Sequence, residues 1–77
     1  MDNAHFDTRV AELVKKAIDD SGESHNAIAK AASVPYATLD RKLKGVTPFN
    51  VSELNRIARA TGKTPGEFLP DDPEAAA

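Results

Sequence analysis

The chain has no cysteine and no tryptophan. Without cysteine it can build neither a disulfide framework nor a thiolate metal site. No apolar run approaches the ~18–20 residues needed to cross a bilayer. The four glycines are scattered, so no glycine-rich loop is available to cradle a phosphate. The two histidines, His5 and His25, fall on different segments and have no carboxylate pair or nucleophile at useful spacing. The polar, acidic start MDNAHFDTRV lacks the basic and apolar regions of a secretory signal. These gaps argue against an enzyme, a metal or cofactor site, a small-molecule substrate and a membrane role. The expectation is a soluble cytoplasmic protein. Its 77 residues make one small domain, which buries only roughly 60–65% of its unfolded surface.

The charge that is present is unevenly placed. The whole chain carries a net −2. Residues 24–47 hold Lys30, Arg41, Lys42 and Lys44 against Asp40 alone, for a net +3. The flanking segments are both negative. An acidic protein that gathers positive charge on one segment offers that segment to a polyanion.

Periodicity places this segment on two helices. Phe6, Val10, Leu13, Val14, Ala17 and Ile18 form a helical stripe, predicting helix 1 over roughly 8–21, capped by Asp7 and stopped by Gly22. Ser24 caps helix 2, about 25–32, whose Ala29, Ala31 and Ala32 permit close helix approach. Ser33-Val34-Pro35 breaks the pattern, and proline suits the first turn of helix 3, about 35–44. Leu39 and Leu43 face inward, and Gly45 terminates that helix. After the loop Val46-Thr47-Pro48-Phe49, Asn50 and Glu53 form a capping pair. Val51, Leu54, Ile57, Ala58 and Thr61 line one face of helix 4, which ends at Gly62. Thr64-Pro65-Gly66-Glu67 opens a last helical turn carrying Phe68 and Leu69, and Pro70 stops it. Five helices and no strands are expected over a domain of residues 1–70, with 71–77 a flexible tail or the start of a linker.

With this helix-turn-helix laid out, the chain resembles the lambda-repressor-like family of phage and bacterial DNA-binding domains, of the Cro/repressor type, over roughly residues 8–69. Ala29 matches the small residue where helix 2 crosses helix 3, and Val34 the apolar residue after the turn. Leu39 matches the anchor of the recognition helix, and Gly45 the glycine closing it. Phe49-Asn50-Val51-x-x-Leu54-x-x-Ile57-Ala58, followed by Gly62, looks like the family's fourth helix. Two positions depart. Ser33 stands where the family usually has glycine, often at positive φ, a placement that costs serine up to ~1 kcal/mol. Pro35 stands where a serine or threonine commonly caps the recognition helix.

The resemblance implies a compact all-α domain that reads the major groove of double-stranded DNA with helix 3. Carried over by position, the base-reading residues are His25, Tyr36, Ala37 and Arg41. The guanidinium of Arg41 can meet guanine O6 and N7 together. Thr38 and Lys44 match positions that touch the sugar–phosphate strand, with Lys42 and Thr47 nearby. Ser24 and Asn50 stand at helix N-termini, which attract phosphate. One such module buries about 600–1,000 Å² on DNA, so a two-fold operator and a homodimer are expected, with Phe49, Phe68 and Leu69 as candidate dimer contacts. The implied role is a transcriptional regulator, a phage-type or bacterial repressor. The opposing expectation is an antitoxin-like or scaffold domain that uses the same fold to bind protein.

Overall fold

The apolar stripe of the N-terminal segment does fold as a helix, but it begins earlier than its cap signal indicates. In the computed structural model, which describes residues 4–70, α1 spans Ala4–Ser21. Asp7 is therefore not the cap. It lies in the first turn, where the positive end of the helix dipole favours a carboxylate. α2 (His25–Ala31), α3 (Tyr36–Leu43) and α4 (Val51–Thr61) follow, and a 3-10 turn covers Pro65–Phe68. Among the described residues there are four α-helices and no strand. The expected fifth helix is only that turn, closed by i→i+3 bonds. Glu67 N–H donates to the Thr64 carbonyl (3.0 Å) and Leu69 N–H to the Gly66 carbonyl (3.2 Å). The tail expected over 71–77 lies outside the described residues.

α2 packs on α3 and α4, while α1 crosses α3, α4 and the 3-10 turn. Val10, Val14 and Ile18 of α1 meet Ile28 and Ala29 of α2, Leu39 of α3, and Leu54, Ile57 and Ala58 of α4. Phe68 closes this core at 1% exposure. Its ring is part of the interior and offers nothing to a second copy, which corrects its placement as a dimer contact. Ala29 and Ala32 are buried as the close approach of helices requires, but Ala31 faces solvent. Val51 is also not on the inward face, since it is 80% exposed. It is the first residue of α4, beyond the end of the core. Phe49 packs against the core there instead, and Phe49 and Leu54 occupy the two positions of a hydrophobic staple around the Asn50 cap.

Three of the helix ends share one hydrogen-bond pattern, and one of them lacks glycine. After α3, Gly45 N–H donates to the Lys42 carbonyl (3.1 Å) and Val46 N–H to the Arg41 carbonyl (3.0 Å). After α4, Gly62 and Lys63 donate likewise to Arg59 and Ala58. After α2, Ser33 N–H donates to the Lys30 carbonyl (3.2 Å) and Val34 N–H to the Ala29 carbonyl (2.9 Å). Each is a Schellman ending, which needs one residue in the left-handed region. Ser33 supplies it at φ +57°, as the departure from glycine at this position implies. Val34 is drawn into the core by the same bonds. Pro35 ends up as the cap of α3 and not its first residue, with no side-chain hydrogen bond to give.

What holds α3 in place is a carboxylate on α4. The side-chain oxygen Glu53 Oε1 accepts from Asn50 N–H at 2.9 Å, and Asn50 Oδ1 accepts from Glu53 N–H at 2.7 Å. The same Oε1 also accepts from Lys42 Nζ of α3. The pair is nearly sealed, with the Lys42 side chain 14% exposed and that of Glu53 9%. Burial pushes the Glu53 carboxyl up. The Lys42 ammonium, the Asn50 N–H and the charge of Arg56 together outweigh it and hold the carboxyl below its ordinary value. In the turn before α3, Arg56 Nη1 reaches the Ser33 carbonyl at 3.4 Å. α4 thus contacts both α3 and the turn that leads into it.

Two outcomes follow from these features. Replacing Ser33 with glycine relieves the left-handed serine and offsets part of that gain through a looser unfolded chain. The expected net is about 0.5–1 kcal/mol of added stability, read as a melting temperature about 3–6 °C higher by circular dichroism. Glu53 has a depressed folded pKa, so its contribution is complete above the unfolded value and is lost as pH falls through the lower folded one. Stability measured by urea unfolding therefore drops as pH falls below about 4. Glu53→Gln costs about 1–3 kcal/mol at neutral pH and gives a shallower acid limb. The limb does not vanish, because Glu67, bonded to the Thr64 N–H and hydroxyl, is also held below its ordinary value.

Candidate nucleic-acid interface

α3 turns Leu39 fully inward, and what remains outside defines the candidate surface. Tyr36, Ala37, Arg41 and Lys44 are exposed, with Thr38 and Asp40 half-buried beside them. Positions 37, 41 and 44 recur at helical spacing, so they form one stripe along the outer face. Tyr36 stands at the N-terminal end of that stripe, half of its surface in solvent. Three of the four expected base readers are therefore exposed on α3, Ala37 and Arg41 in one stripe and Tyr36 beside its N-terminal end.

The fourth is held differently. His25 starts α2 and is half-buried, with Nε2 3.8 Å from Asp19 Oδ1 of α1. It leans against α1 while remaining near the N-terminus of α2. Ser24 caps that helix, its Oγ accepting from Ala27 N–H at 3.0 Å. Asn50 caps α4, where the Glu53 carboxylate already occupies the Asn50 N–H. Part of the positive helix end expected to draw a phosphate is satisfied from within. Thr47 is exposed in the loop after α3.

The cations on α3 have three distinct environments. Lys44 Nζ lies 2.9 Å from Asp40 Oδ2 on the same helix. The hydrogen bond and charge of Asp40 raise its pKa, so it stays protonated while remaining largely in solvent. Lys42, expected at the DNA backbone, is instead drawn against Glu53. Arg41 enters no ion pair among the described residues. A guanidinium that is exposed and uncompensated is the group on this face most available to an outside acceptor.

The local count of +3 therefore overstates the field at this surface. One of its cations is cancelled by Glu53, which lies outside the counted segment. A helical wheel carries the clue. Lys42 stands three residues after Leu39, on the flank of the buried stripe, where its ammonium can turn toward an acceptor on α4. Arg56 is the other feature that segment counting overlooks. It brings a cation from α4 to the turn between α2 and α3.

Of the expected dimer contacts, Leu69 is 53% exposed and Phe49 half-buried. Val46 and Val51, not singled out from the sequence for this, are the other exposed aliphatics, within three residues of Phe49 along the chain. Among the described residues no three metal-ligating side chains are grouped to hold an ion, and no helix is long and apolar enough to cross a membrane.

No curated protein and no solved structure matched the chain. A family model does match, that of the BetR domain, and it covers residues 2–77. With its central helix-turn-helix and nearly its whole length matched, the chain belongs to the BetR domain family, a family of small helix-turn-helix-like DNA-binding domains.

Proposed function

We propose that this chain is a sequence-specific regulator of transcription that reads double-stranded DNA through α3 in the manner of lambda-repressor-like domains. The observation that carries the reading is the outer face of α3, where Tyr36 and Ala37 are exposed and Arg41 is without an ion-pair partner among the described residues. An α-helix with such a face fits the major groove. Arg41 takes a guanine through two parallel hydrogen bonds. Ala37 and Tyr36 pack on thymine methyls, and His25 reads or braces from the start of α2. Lys44, Thr38, Thr47, Ser24 and Asn50 set the register on the sugar–phosphate strand. The protein acts by occupancy and not by catalysis, as a repressor in the cytoplasm of a bacterial cell or phage-infected host.

A module of this size needs a second half-site for tight binding. Leu69 and the exposed edge of Phe49 are the remaining candidates for contact between copies. A second reading, an antitoxin-like or scaffold domain, is favoured by the exposed Val46 and Val51 on either side of Phe49.

Selection of bound sites from random DNA tests the proposal. The expected result is a defined site with two-fold symmetry, and affinity that falls steeply with added salt. Arg41→Ala should lose about 1–3 kcal/mol of discrimination at one base position. Lys44→Ala should weaken binding to all sequences about equally. A folded protein that retains no DNA at low salt yet captures a protein partner supports the second reading.

A further inference from the structure

The Lys42–Glu53 pair has a consequence for specificity as well as for stability, provided that α3 reads DNA as proposed above. Lys42 belongs to the same helix as Arg41 and Lys44, and its four-carbon stem is long enough to reach outward. Nothing in the backbone of α3 keeps its ammonium from a phosphate. What keeps it away is Glu53 Oε1, placed in the interior by the capping arrangement with Asn50 and loaded by Lys42 at the same oxygen. Both side chains are almost fully covered, so solvent and salt screen this attraction far less than they screen the Lys44–Asp40 pair on the surface.

A phosphate contact carries no base information, so a cation released onto the backbone strengthens every sequence alike. We propose that Glu53 is a specificity-setting positioning residue: by holding the Lys42 ammonium against α4, it withholds from DNA a cation that α3 would otherwise give to any phosphate. It acts through Lys42 and touches no base. The ammonium held by the same carboxylate explains why the residue is glutamate. A glutamine could still accept from Asn50, but it would not hold an ammonium against the pull of a phosphate.

The test compares the full chain with Glu53→Gln, Lys42→Gln and the double variant on two duplexes of equal length, the selected site and a random sequence. The dependence of affinity on salt is measured for each. Glu53→Gln is expected to bind random DNA about 5–10-fold more tightly near 0.1 M salt, with a slope steeper by about 0.9. The ratio of specific to random affinity falls. Lys42→Gln keeps the parent slope, because its ammonium is not spent on phosphate in the parent. The double variant returns to the parent slope.

If Glu53→Gln weakens both duplexes equally with no change of slope, the residue is structural only and the proposal is overturned. A slope lowered by about 0.9 in Lys42→Gln overturns it as well. Circular dichroism of each variant identifies any that fails to fold. In that event Glu53→Ser takes the place of Glu53→Gln, and a slope steeper by about 0.9 from the released ammonium is again expected, while an unchanged slope overturns the proposal. Failure of the folded parent to bind either duplex would instead sink the DNA reading beneath it.

Discussion

One carboxylate oxygen coordinates the two elements that matter most. Glu53 Oε1 accepts from the backbone of its own helix start and from the ammonium of α3. A buried ion pair gains little net energy, because desolvation offsets most of the attraction. Its value here is geometric. Leu39 fixes the depth of α3 in the core, but an aliphatic side chain does little to stop the helix from rolling about its axis. A directed hydrogen bond from Lys42, on the flank of that anchor, does. Arg56, bonded to the carbonyl of Ser33, restrains the turn that leads into α3. The face that carries Arg41 is thereby aimed by polar contacts laid over a non-directional core.

The turn between α2 and α3 tells the same story in backbone terms. The three Schellman endings are chemically alike, and only the one in the helix-turn-helix uses a residue with a Cβ at positive φ. The two bonds formed by Ser33 and Val34 satisfy carbonyls that would otherwise be left without donors at the end of α2. They also carry Val34 inward, so the strain of the serine is held by hydrogen bonding and apolar burial together. The angle between α2 and α3 is set at this point, before any contact with a partner.

Much of this was legible from residue order. Periodicity located all four α-helices, and the glycine and capping signals fixed most of their ends to within a residue or two. Ser33 was visible as a strained position because the lambda-repressor-like pattern that the chain resembles has glycine there, often at positive φ. Other features were not legible, for identifiable reasons. Phe68 and Leu69 are adjacent on a single turn, and nothing local decides which of two neighbouring apolar residues meets the core. Phe49 and Val51 raise the same difficulty on either side of a cap. Asp7 is a good cap residue by type, yet the residues before it continued the helix. The pairing of Lys42 with Glu53 joins two helices across a loop, and a charge count over a contiguous segment cannot see a cancellation that comes from outside it.

That cancellation bears on how a small acidic chain could bind DNA selectively. Affinity gained through cations on phosphate is blind to sequence and grows with each charge supplied. This chain supplies few at the α3 surface. One ammonium is interred with Glu53, another is shared with Asp40, and Arg41 is left with its guanidinium uncommitted among the described residues. A surface so arranged gives up non-specific attraction and leaves relatively more of the binding free energy to base contacts. On the proposed reading the same economy of charge makes a lone module weak, and two half-sites bound together recover affinity through effective concentration. In the proposed regulator, weak attraction to DNA in general and dependence on a second copy are therefore linked consequences of cations committed within the chain, Lys42 to Glu53 and Lys44 to Asp40.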